Sequence, residues 1–459
     1  MSPNRFTNAP NPNNTLDLIA VLLISFGLLV TSAIAGIFIG YPLITSLLLF
    51  MGVLVRRGFS GRSLICMGAT GARQSLPVVQ VLLLIGVVTA TWMAAGTVPA
   101  LVYYGTALIS PRFFILWAFL LSGAVSILLG TSFGTVGTIG IALMVIARSS
   151  GAEINPVAGA LIAGAYVGDR CSPMSSSAHL VASITCTDLY ANLRRMIRSA
   201  LWPLLISLVF YTALSLRYPV TLSASPITAE LPQVFDISAI VLLPAISMLL
   251  LAMVRVNVKL AMAVSIGIAA AIAHHSQQVP LLKLFQFALF GYQLAPDSPL
   301  QTILLGGGLL PMAKATLVVL ISTAFAGIFA GSHTLSFLDI WLNRVRTYRQ
   351  LSSAAVLVVI LANLFGCTQT IGILLSKQVM QPHYSRYYQK HSNRHSEQTS
   401  HEQLALALED TAVVIAPLIP WNIAGLIPAT LLTVGPGFIP YATYLMLLPL
   451  FHLFSDFNR

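Results

Sequence analysis

Long apolar stretches alternate with short polar segments along the whole chain. A helix needs about 20 mostly apolar residues to cross the hydrocarbon core of a bilayer. Stretches that approach this length lie near residues 16–36, 37–55, 76–95, 113–130, 199–216, 236–254, 257–274, 316–331, 351–365 and 438–455. These uniformly apolar runs predict membrane-spanning helices, because the strands of a membrane barrel alternate apolar and polar positions.

Three longer regions interrupt this pattern, at residues 135–182, 280–312 and 366–435. Here Gly, Pro, Ser, Thr and acidic residues are interleaved with apolar ones. Such regions predict additional spans or half-spans, because irregular backbone is tolerated at membrane depth only where protein or a water-filled cavity surrounds it. We therefore predict an all-α fold, a polytopic transmembrane helical bundle of about 10 to 13 spans with broken or re-entrant helices.

Composition and charge narrow the class of protein. Of the 459 residues, 57% are hydrophobic and 8% are charged, against about 25% charged in a typical soluble domain. With a mean hydropathy of +0.86, these values exclude a water-soluble globular protein, a disordered chain and a disulfide scaffold. The net charge of +11 comes from basic residues between apolar runs, as is typical of cytoplasmic loops near anionic lipid. We expect the lipid bilayer as a partner, and no nucleic acid.

Four basic clusters indicate how the chain is oriented, at residues 56–73, 194–198, 344–349 and 377–394. Two spans separate the N-terminus from the first cluster, so the positive-inside rule predicts that both are cytoplasmic. We therefore expect a multi-pass protein of the cell (inner or plasma) membrane. The last two clusters flank the apolar segment 351–376. One simple span would put one of them outside, whereas a broken or re-entrant segment would keep both inside.

The most polar part of the chain is the basic segment 377–403, which we expect to be a solvated cytoplasmic loop. Metal binding or pH sensing by its histidines is the alternative. These histidines are His383, His391, His395 and His401.

The two halves of the chain resemble each other weakly. A Thr/Gly break at 133–137 precedes an acidic residue and a proline at 168–174, and a similar break at 368–372 precedes two acids and a proline at 409–418. Secondary transporters are often built from two inverted repeats whose broken helices meet at the bilayer midplane. The predicted division is a polar N-terminal tail at 1–15, a first transmembrane repeat at 16–230 and a second transmembrane repeat at 231–459.

The first candidate motif is GTSFGTVGT at 130–138. Three glycines in nine residues weaken a helix, and the hydroxyls of Thr131 and Thr135 can coordinate an ion or satisfy backbone groups at a break. The alternative is close helix packing through small residues, which is common in membranes.

The second candidate motif is GAYVGDRCSPMSSSAH, in which Asp169 stands beside Arg170 amid apolar sequence. An ionised Asp at mid-membrane costs about 2.5–3.5 kcal/mol on insertion scales, so such residues usually face a cavity. Pro173 frees backbone carbonyls nearby. These carbonyls, the Asp169 carboxylate and the hydroxyls of Ser172 and Ser175 are oxygen ligands of the kind that hard cations select. The alternative is a structural Asp169–Arg170 pair, or a loop at the membrane edge.

The third candidate motif, EDTAVVIAPLIPWN, begins with Glu409 and Asp410. Two neighbouring acids cannot both ionise cheaply in a low-dielectric site, so one of them can keep its proton near neutral pH. A carboxylate that holds either a proton or a metal ion can exchange one for the other, because the two compete for the same oxygens. The alternative is a helix N-cap with an Asx turn at the interface. Thr368, Gln369 and Asn422 complete the set of candidate cation- or proton-binding residues.

Enzyme chemistry has no recognisable site in the sequence. No HExxH, GxSxG or paired His/Cys metal spacing occurs, and the glycine triplet at 306–308 lacks the Lys-Ser/Thr of a phosphate loop. The four cysteines are scattered and are typical of small apolar residues in helices. We therefore predict neither an enzyme nor a cofactor, and no metal other than a transported cation.

Taken together, the motifs GTSFGTVGT, GAYVGD-x-x-SP and ED-x(6)-PLIPWN resemble the NhaC-type sodium/proton antiporter family, which also contains sodium-linked organic-acid exchangers. The resemblance covers most of the chain and implies a secondary active transporter with inverted repeats that works by alternating access. Two positions depart from the family pattern, because Ser176 and Thr368 stand where the family usually has acids. The site is thereby less negative than the family's.

Our leading hypothesis is a cation (Na+)/H+ antiporter in which Asp169 and one acid of the Glu409-Asp410 pair bind a proton or a cation alternately. The alternative is a proton- or sodium-coupled exchanger of a small organic solute, either an organic acid or an amino acid. A less negative site approached by helix N-termini would suit such an anionic or zwitterionic substrate. A membrane scaffold without transport is a third hypothesis, against which the retained acids argue. A homodimer is one assembly that the sequence allows.

Overall fold

The structure is a computed structural model that describes residues 15–108, 111–219, 231–254, 256–293, 306–332, 334–391 and 396–454. Across these ranges the fold is all-α, as predicted from the sequence. The β-type pairing found there is an isolated antiparallel bridge between Tyr292 and Gly306.

The first half of the chain folds into helices of very different lengths. They are α1 (Thr15–Ile34), α2 (Gly40–Arg56), α3 (Gly61–Gln74), α4 (Leu76–Ala94), α5 (Thr97–Leu108), α6 (Phe114–Leu129), α7 (Ser132–Thr135), α8 (Ile141–Ser149), α9 (Ile154–Cys171), α10 (Ser176–Thr185) and α11 (Leu189–Arg217). A π-helical turn, Val136–Gly140, joins α7 and α8 into one helical stretch. Single π-turns inside helices are frequent at functional sites.

The second half is helical in the same way. Its helices are α12 (Leu243–Met253), α13 (Val258–His275), α14 (Leu281–Phe290), α15 (Leu309–Gly331), α16 (Asp339–Leu342), α17 (Tyr348–Gly366), α18 (Gln369–His391), α19 (Ser396–Ile415), α20 (Ile423–Leu431) and α21 (Thr443–Phe454). Every apolar stretch predicted from the sequence coincides with a helical segment, apart from a few residues at the ends.

Several helices are long and apolar enough to cross a membrane. Within the described residues, four meet this test by length and composition: Leu16–Ile34, Leu189–Arg217, Leu309–Gly331 and Tyr348–Gly366. A bent pair, Glu397–Leu418 with Ile423–Leu431, passes it jointly across a 50° bend. Shorter apolar helices of 10–17 residues accompany them. The protein is thus a polytopic membrane bundle, and the number of about 10 to 13 spans stays a prediction.

Two helices form the centre of the bundle. Helix α9 is buried over residues 156–170 except for Val167, and α19 is buried over residues 403–415. Peripheral helices instead turn large apolar side chains outward, such as Leu23 on α1 and Trp202 on α11. Helices that are apolar all round belong in the interior of a bundle, and outward apolar side chains face lipid.

The expectation of a loop at 377–403 is wrong in its secondary structure. Helix α18 continues to His391, and α19 begins at Ser396. The side chain of His383 is buried rather than solvated. His395 and the side chain of His391 lie outside the described residues. Polar residues on these helices pack against neighbouring helices. A polar composition is therefore not enough to predict a loop.

Helices α17 and α18 form a hairpin, which favours the broken or re-entrant alternative over one simple span for segment 351–376. Cys367 adopts a left-handed conformation directly after α17, and the chain then turns back. Near the other end of the hairpin, Arg386 donates to the side-chain oxygen of Asn343 at 2.6 Å, and the rings of Tyr348 and Tyr387 lie 6.3 Å apart. The basic clusters 344–349 and 377–394 therefore approach each other at one end of the bundle. This is the arrangement expected if segment 351–376 is broken or re-entrant.

Candidate functional site

Helices α6 and α9 pack closely and fix the end of α9. A Cβ added to Gly168 would lie 2.0 Å from the backbone carbon of Ser126. The hydroxyl of Ser126 donates to the carbonyl oxygen of Ala165, and one turn earlier Ser122 donates to Leu161 at 2.7 Å. Small residues and interhelical hydrogen bonds are what hold membrane helices together. The last turn of α9 is therefore held firmly against α6.

Helix α9 then ends in a break at residues 172–175. Pro173 has no N–H, so the carbonyl oxygen of Asp169, four residues earlier, lacks its helical donor. The hydroxyls of Ser175 and Ser177 donate to this carbonyl instead, the second at 2.6 Å. The predicted ligand Ser175 thus uses its hydroxyl to stabilise the break.

The hydroxyls of Ser172 and Thr135 are engaged in a similar way. Ser172 donates to the carbonyl oxygen of Ile127 at 2.7 Å, and Thr135 donates to the carbonyl oxygen of Thr131 at 2.8 Å. Thr131 itself is half-buried at the residue before α7. These three predicted ligands therefore line the same region as Asp169, but two of them already bind backbone.

The carboxyl group of Asp169 lies between the first residues of two helices. Its exposed fraction is 5%. One oxygen accepts from the backbone N–H of Ser132 at 3.4 Å, and the other accepts from Nε2 of Gln369 at 3.2 Å. Ser132 begins α7 and Gln369 begins α18, each directly after a break. Helix N-termini carry partial positive charge, so this position suits a carboxylate.

Arg170 pairs with Asp410, not with its neighbour Asp169. Its fully buried guanidinium contacts one carboxylate oxygen of Asp410 and donates to the hydroxyl of Ser199 at 2.7 Å. Ser199 donates to the same oxygen of Asp410 at 3.0 Å, and Nδ1 of His452 lies 3.3 Å from the other. Both oxygens of Asp410 are thereby occupied. Successive residues of a helix do not face each other, which is why Asp169 and Arg170 have different partners.

Glu409 lies on the same helix as Asp410, but its side chain points in another direction. Its side chain is 1% exposed, and neither carboxyl oxygen has a hydrogen-bond partner among the described residues. Its backbone carbonyl accepts from Nε of Arg170 at 3.2 Å. The carboxyl lies close enough to that of Asp169 for the two to interact electrostatically. A helix cap at the membrane edge, the alternative for this motif, does not fit these positions inside α19.

Asn422 connects two helix breaks in the second half of the chain. Its side-chain oxygen accepts from the N–H of Ala424 at 3.0 Å and so caps α20, while its Nδ2 donates to the carbonyl oxygen of Asn363 at 3.0 Å. The N–H of Ile423 donates to the carbonyl oxygen of Cys367 at 2.9 Å. The predicted ligand Asn422 therefore joins the break after α17 to the break before α20.

Asn363 and Thr368 flank the break that follows α17. Thr368 accepts from the N–H of Ile371 at 3.1 Å and caps α18. Nδ2 of Asn363 donates to the carbonyl oxygen of Ala412 at 3.3 Å, which identifies the other amide atom as the oxygen. That buried oxygen has no partner in the part of the chain that the structure describes. Besides Glu409, Asn363 thus offers an unused oxygen ligand.

The structure brings the predicted residues into one region but gives them different tasks. Asp169, Gln369 and Glu409 present side chains to it, whereas Ser172, Ser175, Thr135, Thr368 and Asn422 hold the breaks, and Asp410 binds Arg170. The sequence reading missed Ser132, Ser199 and His452 as neighbours of the acids. An arginine inside an apolar helix signals a buried acid on another helix, and this signal could have found the Arg170–Asp410 pair.

The charges of the site do not balance. Three carboxyls, those of Asp169, Glu409 and Asp410, are buried in this region, and the guanidinium of Arg170 is paired with that of Asp410. Buried carboxylates are stable only when paired, coordinated or protonated. Two carboxyls therefore remain that can bind protons or cations.

The sequence is similar to those of known proteins over most of its length. The profile of the Na+/H+ antiporter family matches residues 164–454. The chain is 28% identical over 431 residues to the Na(+)/H(+) antiporter NhaC of Bacillus subtilis, covering 91% of this chain and 92% of the relative. It is 27% identical over 394 residues to the Malate-2H(+)/Na(+)-lactate antiporter of Bacillus subtilis (84% and 82%). It is 26% identical over 389 residues to the Arginine/ornithine antiporter ArcD of Halobacterium salinarum (82% and 78%).

Proposed function

Because the chain belongs to the Na+/H+ antiporter family, we propose that it exchanges a small cation, in the first instance Na+, for protons across the cell membrane. The exchange uses Asp169 and Glu409 as carboxyls that hold a proton or the cation alternately. Proton and cation compete for the same oxygens, so binding of one releases the other. No enzymatic step is involved.

The observation that carries this proposal is the state of Glu409. Its carboxyl is 1% exposed and both oxygens lack a hydrogen-bond donor among the described residues. An ionised carboxylate in such surroundings is costly, and Arg170 is already paired with Asp410. Glu409 is therefore stable with a proton or with a bound cation, and these are the two states that an antiporter needs.

The surroundings of Asp169 differ from those of Glu409, but they also suit a carboxyl that binds a proton or a cation alternately. Two weak hydrogen bonds, from Ser132 and Gln369, support its ionised form without neutralising it. A cation between Asp169 and Glu409 would receive carboxylate oxygens from both halves of the chain. We assign Asp410 the role of counter-ion to Arg170, because neither of its oxygens is available to a cation.

Alternating access requires that the two halves move relative to each other. Each half supplies a broken pair that carries one of the acids, α9 with α10 in the first half and α19 with α20 in the second. This correspondence supports two repeats, at 16–230 and 231–459, that meet at the acids. The first basic cluster supports a cytoplasmic N-terminus, because two predicted spans, 16–36 and 37–55, separate it from the N-terminus.

The test is exchange in everted membrane vesicles with an imposed pH gradient. Addition of Na+, Li+ or K+ should collapse the gradient in vesicles with the wild-type protein. Glu409→Gln removes the exchanging proton and should reduce this response by about tenfold or more, equivalent to about 1.4 kcal/mol.

Glu402→Gln is the matched control on the same helix. Glu402 pairs with Arg195 at a partly exposed position two turns away, so its loss should leave exchange near wild type. No collapse of the gradient with any cation, in vesicles where a known antiporter responds, would contradict the proposal. Full activity of Glu409→Gln would contradict the role of this residue.

Exchange of an organic acid or amino acid is the second candidate. It is favoured by Ser176 and Thr368, which stand where the resembled family usually has acids, and by the two organic-solute antiporters among the relatives. Counterflow of labelled malate, lactate, arginine or ornithine in proteoliposomes separates the two candidates. Solute-dependent counterflow without cation-dependent proton movement would replace the first candidate with the second.

A further inference from the structure

The side-chain amide of Asn363 is hydrogen-bonded through its nitrogen only. The side chain lies on α17 and is fully buried. Its Nδ2 donates to the carbonyl oxygens of Val359 at 3.1 Å and Ala412 at 3.3 Å. Its Oδ1 has no hydrogen-bond partner among the residues that the structure describes. Buried polar atoms are normally satisfied, so an unpaired oxygen of this kind indicates a place for a ligand that the chain itself does not supply.

This oxygen lies against the first turn of α18. A Cβ on Gly372 would overlap Oδ1 of Asn363, so a glycine is needed to leave room for the oxygen. Gly372 stands three residues after Gln369, and residues at this spacing share one face of a helix. The amide of Gln369 donates to the carboxyl of Asp169 at 3.2 Å. Asn363 and Asp169 therefore contact the same turn of α18.

Helix α19 relates Asn363 to the second proposed carboxyl, that of Glu409. Asn363 donates to the carbonyl oxygen of Ala412, and Gln369 donates to that of Val413 at 3.5 Å. Ala412 and Val413 follow Glu409 by one helical turn and share its face of α19. Both carboxyl oxygens of Glu409 also lack a hydrogen-bond donor in the described part of the chain. Unpaired oxygens of Asn363 and Glu409 thus belong to side chains that meet neighbouring turns of α19.

An amide oxygen has a property that the two carboxyls do not share. Hard cations bind amide and carbonyl oxygens together with carboxylates. The amide oxygen is an acceptor that takes up no proton of its own, whereas a carboxylate binds either a proton or a cation. An amide ligand therefore favours the cation over the competing proton.

We propose that Oδ1 of Asn363 is a ligand of the transported cation, bound together with the carboxyls of Asp169 and Glu409. It raises the affinity of the site for the cation without raising that for the proton. This inference rests on the proposed exchange, because its ligand is the cation that is exchanged.

Two replacements of similar size separate the oxygen of Asn363 from its nitrogen. Asn363→Leu removes both atoms. Asn363→Asp removes Nδ2, but its protonated carboxyl can donate to the carbonyl of Ala412 and present the other oxygen where Oδ1 was. Asn363→Leu should raise the apparent KM for Na+ by about tenfold or more, and Asn363→Asp should not. An equal rise in both variants would indicate a structural role of Nδ2 and would overturn the inference.

Ser352→Ala is the matched control on the same helix. Ser352 is as buried as Asn363, and its hydroxyl likewise has no partner within the described ranges, but it lies about three turns earlier on α17. Its replacement should leave the KM for Na+ unchanged. A rise equal to that of Asn363→Leu would trace the effect to the packing of α17 and overturn the inference.

Cation binding can also be measured without transport. A ligand that binds only the folded protein raises its melting temperature, so purified protein is compared in NaCl and in choline chloride. The Na+ concentration needed for a given rise should be about tenfold or more higher in Asn363→Leu than in the wild type. If Asn363→Leu does not fold, Gly372→Ala takes its place, because its Cβ must displace the amide of Asn363. A wild-type dependence on Na+ in that variant would overturn the inference.

The outcomes distinguish this inference from the proposed function. If the wild type exchanges Na+ and Asn363→Leu keeps the wild-type KM, as it would if the oxygen bound only water, the inference fails and the proposed function stands. If the wild type shows neither exchange nor a rise in melting temperature with Na+, Li+ or K+, the proposed function fails and the inference fails with it.

Discussion

The side-chain amide of Gln369 donates to the carboxyl of Asp169 across 3.2 Å. Asp169 belongs to the last turn of α9, and Gln369 is the first residue of α18. The two residues are 200 positions apart in the sequence. The contact joins the two halves of the bundle at an acid proposed to bind the transported ion. A relative movement of the halves would therefore change the surroundings of that acid directly.

Replacing Gln369 should shift the pH dependence of exchange. Gln369→Ala removes one of two hydrogen bonds that favour ionised Asp169, so Asp169 should keep its proton to higher pH. A hydrogen bond contributes about 0.5–1.5 kcal/mol, which predicts an alkaline shift of the half-maximal rate by about half to one pH unit. The pH profile of cation-induced gradient collapse measures it. Gln398→Ala, at an exposed position on α19, should leave the profile unchanged, and an unshifted profile for Gln369→Ala would refute the role of the contact.

Asp410 should matter for folding more than Glu409 does. Asp410→Asn leaves the buried guanidinium of Arg170 without its counter-ion, which should cost about 3–5 kcal/mol and lower both yield and thermal stability in detergent. Glu409→Gln breaks no hydrogen bond of the carboxyl in the described structure and should unfold near the wild-type temperature. Equal loss of stability in the two variants would show that Arg170 does not depend on Asp410.

The contact between α6 and α9 predicts a severe effect of one methyl group. Gly168→Ala places a Cβ 2.0 Å from the backbone of Ser126, so the helices must separate and the protein should lose about 1–3 kcal/mol or more. Gly27→Ala on α1, where nothing lies within 4 Å of the added Cβ, is the control and should be neutral or slightly stabilising. Thermal unfolding of the purified variants provides the comparison. Similar melting temperatures would mean that α6 and α9 are not in this close contact.

The hairpin of α17 and α18 predicts that two basic clusters share one side of the membrane. Single cysteines in place of Arg346 and Lys390, in a background without the four native cysteines, should react with an impermeant maleimide from the same side. Both should become labelled only after permeabilisation when that side faces the lumen of the vesicle. Labelling from opposite sides would require α17 and α18 to form one continuous span.

Much of the fold follows from the sequence because lipid imposes a simple rule. Uniformly apolar runs must be helices that satisfy their own backbone, so all the runs from 16–36 to 438–455 coincide with helical segments. Segment 377–403 escaped this rule, since its polar residues are accommodated by packing between helices and not by solvent. Polarity indicates distance from lipid, but it does not distinguish a loop from a helix at the end of a bundle.

The sequence predicted which acids belong to the site, but not which partner each acid binds. Asp169, Glu409 and Asp410 are all buried, as expected for acids amid apolar sequence. Which acid meets Arg170 depends on the rotation of α9 and α19, which one sequence does not contain. The hydroxyls of Ser172 and Ser175 were expected as ligands beside the carbonyls that Pro173 frees. In the structure they donate to backbone carbonyls themselves, and the sequence alone does not show this pairing.

The most direct measurement of the central claim is proton release on cation binding. Purified protein in weakly buffered detergent solution, near the pH of half-maximal exchange, is mixed with NaCl or with choline chloride, and a pH dye records the released protons. We expect Na+ to release protons from the wild type and from Glu402→Gln, and to release markedly fewer from Glu409→Gln. Equal release from wild type and Glu409→Gln, or no release by Na+, Li+ or K+ from a wild-type protein that performs exchange, would contradict competition between proton and cation at Glu409.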